Sequence, residues 1–124
     1  MRNGIIGLAV MASLAGAPAL AHHSAVAYDR THMITIEGEV TEIQWVNPHT
    51  WINMRVLGAD GEMQEWALEG ESVGQYVRMG WTKDTLAVGQ RIKANVWQLK
   101  DGSYGAQLGY VETEDGTILG DRPD

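Results

Sequence analysis

Between Ile34 and Val111, apolar side chains return at every second residue in five separate runs, and only over Ser72 to Gly80 does the spacing lengthen to that of a helix. A chain with that rhythm must build a sheet and fit one short helix to it. The runs are Ile34 to Trp45, Trp51 to Leu57, Glu62 to Leu68, Arg91 to Leu99 and Ser103 to Val111. In the first, Ile34, Ile36 and Val40 share one face, whereas Ile43 and Trp45 fall on the other, with Gly38 between. A period of two cannot switch faces unaided, so a bend or bulge is expected there. Asn47-Pro48 breaks that run, and Asp60-Gly61, Asp101-Gly102 and Asp115-Gly116 mark turns, the last before a short tail. Ser72-x-x-Gln75 has the form of a capping box, Gly80 suits the position just past the helix, and Trp81 suits the apolar residue that folds back onto it. Val73, Tyr76 and Val77 are expected on the buried side of this helix. The order strand, strand, strand, helix, strand, strand gives an all-β fold with one short helix, a five-stranded OB-fold-like barrel. A barrel of other topology and a β-sandwich fit the same element order.

The 124 residues suffice for one domain, and the absence of cysteine excludes a disulfide scaffold, a thiolate metal site and a cysteine nucleophile together. Met1-Arg2-Asn3, an uncharged stretch from Gly4 to Ala19, and the small-residue triplet Ala19-Leu20-Ala21 have the order of a secretory signal peptide. The expected organisation is therefore a leader over 1–21, an N-terminal arm over 22–33 and the barrel over 34–124, with the periplasm as destination. Loss of the leader removes Arg2 and no acid, leaving 8 basic and 16 acidic residues. Such a chain repels a phosphate backbone, so nucleic acid is not an expected partner. No later segment is apolar enough to span a bilayer.

Ala21-His22-His23-Ser24, Gly38-Glu39-Val40, Trp45-x-Asn47-Pro48-His49, Trp66 with Glu69, Gly80-Trp81, Gly89 and Asp101-Gly102 can be read as one pattern over nearly the whole mature chain. It resembles a family of small, exported proteobacterial proteins of unknown function. The resemblance implies export and a compact β domain, and it implies no reaction.

Cleavage after Ala21 would leave His22 at the new N-terminus, with a free amine and an imidazole on one residue. Two such nitrogens can chelate a metal, and the amine, with an ordinary pKa near 8, is a ligand close to neutral pH. This is half of a copper histidine brace, which a second histidine completes as a three-nitrogen site. Planar nitrogen ligation suits Cu(II). His49 is the candidate second ligand, because Pro48 stiffens the turn that presents it. His23 and His32 are the reserves. Ser24 at the third mature position excludes the amino-terminal copper and nickel motif, which needs histidine there. A histidine in a turn can equally be a surface or capping side chain; if His49 is the ligand, His49→Ala is expected to weaken copper binding severely and leave the fold intact, because the residue sits in a turn instead of the core.

Trp45, Trp51, Trp66, Trp81 and Trp97 sit mostly at strand positions and read first as barrel core and rim. Trp45, Trp51 and Asn47 are the residues that would hold a protein or glycan of the envelope if the barrel face is a binding surface. Met33, Met54, Met63 and Met79 are scattered and read as core filling. Glu37, Glu39 and Glu42, and Glu62, Glu65, Glu69 and Glu71 around Trp66, read as solvated faces. No nucleophile elbow, phosphate loop or zinc-protease helix occurs. The expected function is periplasmic copper binding in copper handling; the alternative is a metal-free envelope binding module.

Overall fold

The computed structural model describes residues 27–124, and all five runs are strands in it. β1 spans Ile34–Gln44, β2 Trp51–Leu57 and β3 Met63–Glu69; helix α1 covers Val73–Arg78; β4 is Arg91–Gln98 and β5 Gly105–Thr113. The tail is not plain: a further strand, β6, Ile118–Gly120, adds to it after the last turn.

Neighbouring strands lie in the order β3-β2-β1-β4-β5-β6. Each of these pairs is antiparallel, and β3 then closes on β5 in parallel, with Ala67, Leu68 and Glu69 against Gly105, Ala106 and Gln107. The result is a closed five-stranded barrel of OB-fold type, with β6 lying along the half of β5 that β3 leaves open. The face switch in β1 is a bulge: the register with β2 slips between Val40 and Glu42. Ile36 and Val40 point inward before it, and Ile43 and Trp45 pack on the same core after it. Gly38 pairs with β2 on one side and β4 on the other, and a Cβ there would collide with the Arg55 carbonyl.

Val40, Met54, Leu68, Ala94, Val96 and Val111 are wholly buried, and Trp66 joins them. Burying an aliphatic side chain of this size contributes about 1.5–3 kcal/mol. α1 closes one end of the barrel through a single large residue, Tyr76. The Ser72 hydroxyl accepts from the Gln75 amide at 3.1 Å, as a capping box requires. At the other end Gly80, at φ +87°, donates to Val77 and Trp81 donates to Tyr76, the paired bonds of a Schellman ending. The Trp81 ring then stacks on Tyr76 at 4.3 Å. Val77 departs from expectation, being 58% exposed. In a helix of six residues Tyr76 takes the barrel-facing place, and Val77 lies about 100° further round.

Candidate functional site

The turn between β1 and β2 carries Asn47, Pro48 and His49, with a cis peptide bond at Asn47-Pro48. Two attachments hold it. The Asn47 side-chain oxygen accepts from the Val73 amide at 3.1 Å, supplying a partner to a first-turn helix amide that has none within the helix. Trp45 stacks on Tyr76, which stacks on Trp81, so an aromatic pile ties the turn to α1. Burial, eased a little by a hydrogen bond from the Glu71 backbone, pushes the Tyr76 phenol up to about 12.

His49 stands half-exposed at the end of this turn, with Nδ1 2.5 Å from Oε1 of Glu69. Glu69 ends β3 on the outward face of the barrel, yet it is 5% exposed. The reading of this acid as part of a solvated face is therefore wrong. The reason is the N-terminal arm. From Ala27 onward the arm runs along the outside of the barrel: Ala27 and Asp29 bond to Lys100 and Gln98, and Tyr28 bridges to Leu99. Arg30 lies 3.9 Å from the centre of the Trp97 ring and donates to Gln107. Tyr28 is 2% exposed, and its hydroxyl donates to Oε2 of Glu69. Burial first, and then the Glu69 carboxylate, holds this phenol above its ordinary pKa.

One buried carboxylate thus accepts from the arm on one oxygen and lies against the histidine of the turn with the other. With Nδ1 turned to the carboxylate, Nε2 is the ring nitrogen left free of Glu69. A histidine whose other nitrogen is held by a carboxylate is the arrangement that orients imidazole ligands in metal sites. The same contact gives His49 a part in stability as well: removing it takes the histidine partner from a buried Glu69 oxygen, a change that costs about 1–3 kcal/mol.

The other candidates are placed differently. His22 and His23, with the proposed leader 1–21, lie outside the described residues. His32 is well exposed and lies 3.5 Å from Asp29. Trp51 is half-buried where β2 begins, cross-strand from Glu69, and Trp45 gives one face to the aromatic pile. Asn47 is occupied with α1. Among the described residues no group of three or more His, Asp or Glu side chains is placed to hold a metal ion. No described helix is long and apolar enough to cross a membrane.

Sequence reasoning missed Glu69 and Tyr28 as site residues. The only signal was in the motif pattern, which includes Glu69; period-two alternation places it outward and says nothing of an arm that covers it.

Searches of curated proteins and of solved structures give no significant match. A family model matches residues 9–107, which take in the arm, the turn, α1 and most of the barrel. The chain belongs to that family, DUF6152, a family of unknown function.

Proposed function

We propose that the mature protein is a periplasmic copper-binding protein, beginning at His22, in which the His22 amine and imidazole and the His49 Nε2 form a histidine brace, with His23 as the nearest substitute. The role is copper handling. The observation that carries this reading is the His49–Glu69 contact with Tyr28 on the second oxygen. It supports His49 as a ligand because a buried carboxylate fixes the ring, and it ties the arm that continues back to His22 to the same point. Five residues lie between His22 and Tyr28, a span of at most about 20 Å when extended, so chain length does not keep the terminus from the turn. A one-to-one complex would stabilise the folded state by about 2.7 kcal/mol at a free copper concentration 100 times the dissociation constant.

The experiment is Cu(II) titration of the mature chain with electron paramagnetic resonance. One copper per chain, with a nitrogen-dominated spectrum, is expected. His49→Asn is the discriminating variant, since its amide can still donate to Glu69 from the Nδ1 position while the Nε2 ligand is gone. It should keep the fold and lose the brace spectrum. An unaltered spectrum in this variant removes His49 from the site and favours the metal-free binding module.

A further inference from the structure

The brace reading assigns ligands and leaves Tyr28 without a role. Its side chain is buried on the arm, and its hydroxyl donates to the carboxylate that holds His49. We infer that Tyr28 is a positioning residue for this site, coupling the docked arm to the orientation of the His49 ring through the two oxygens of Glu69. The inference rests on the proposed function for its ligand and on the three-residue contact for its mechanism.

The coupling follows from what a carboxylate can do. Glu69 is oriented by what holds it, and here that is a hydroxyl donated by the arm and a close contact with a ring nitrogen of the turn. With Tyr28 docked, Oε2 is fixed, and Oε1 is then presented to Nδ1 in one direction. Without the hydroxyl, a buried carboxylate oxygen has lost its donor and the group must turn to find another, which takes the His49 ring with it. The second arm attachment places Arg30 on Trp97 and on Gln107, the β5 residue paired with Glu69, and neither of these two contacts is made to a carboxylate oxygen of Glu69. It holds the arm without supplying the donor that Tyr28 gives to Oε2. Both nitrogens of an N-terminal histidine and the imidazole of the turn must converge for a brace, so a group that registers arm against turn controls whether they do.

The test uses the mature chain with Tyr28→Phe, which keeps the ring and removes one oxygen, beside Arg30→Gln, which loosens the arm elsewhere. Copper affinity is read by competition titration and geometry by electron paramagnetic resonance. In metal-free protein, the His49 Nδ1 proton is followed by nitrogen-edited nuclear magnetic resonance. Tyr28→Phe is expected to weaken Cu(II) binding about 10- to 100-fold, as loss of outer partners of metal ligands does. It should also alter the copper hyperfine pattern and move the Nδ1 proton resonance, while Arg30→Gln leaves that resonance in place and binds copper within about 3-fold of the parent, short of that loss. An Nδ1 resonance unmoved by Tyr28→Phe overturns the coupling whatever copper does. An equal loss of affinity in both variants overturns it in favour of arm docking in general. If the parent binds no copper but the resonance moves, the coupling stands and the copper function falls.

Discussion

Thr50 follows His49 directly, and its side chain is the buried group least well provided for in the described structure. Its amide donates to the Glu71 carbonyl and its carbonyl accepts from Gly70, so the backbone is fully used. Thr50 is 1% exposed, its hydroxyl has no hydrogen-bond partner, and the residue lines a narrow slot with Trp45, Ile52, Trp81, Leu86 and, at one side, Thr82 and Lys83. An unsatisfied buried hydroxyl costs about 1–3 kcal/mol, and valine fills the same shape without it. Thr50→Val is accordingly expected to raise stability by about 1 kcal/mol or more in urea denaturation, with the barrel unchanged. A fall in stability means that the hydroxyl has a partner, such as an enclosed water. At this scale the sequence is a poor guide. His49 could be singled out from its turn, but the burial of Glu69 depends on an arm more than 35 residues away in sequence, and no local pattern encodes that meeting.

At the scale of elements, the pattern was far more legible, because each feature there is local. The capping box, the bulge in β1 and the ending of α1 at Gly80 each follow from a few neighbouring residues. Gly80 carries the clearest consequence: its φ of +87° lies in the left-handed region, and the turn it makes brings Trp81 back over Tyr76. Gly80→Ala has open space for its Cβ, so only backbone strain opposes it. A loss of about 1–2 kcal/mol is expected, seen as a lower denaturant midpoint at unchanged slope. What was not legible at this scale has a physical cause too. Period alone could not tell Tyr76 from Val77 as the buried residue of so short a helix, and the three residues of β6 are too few to show any period.

For the molecule as a whole, the barrel acts as a rigid frame that brings two distant segments to one point. Closure through β3 and β5 sets Glu69 at the barrel surface, the β1–β2 turn brings His49 to it, and the arm crosses β4 and β5 to deliver Tyr28. The fold class was readable from the order of the runs, while the convergence was not, because it depends on the parallel closure that joins the third strand to the fifth. The central claim is that this frame completes a copper site with the chain's own mature terminus. The most direct measurement compares Cu(II) binding by the chain that starts at His22 with the same chain carrying one extra glycine before it. The extension keeps every side chain and takes the free amine off the histidine. The account predicts one tightly bound copper with a brace spectrum for the first and loss of that site for the second. Equal affinity and identical spectra in the two would contradict it.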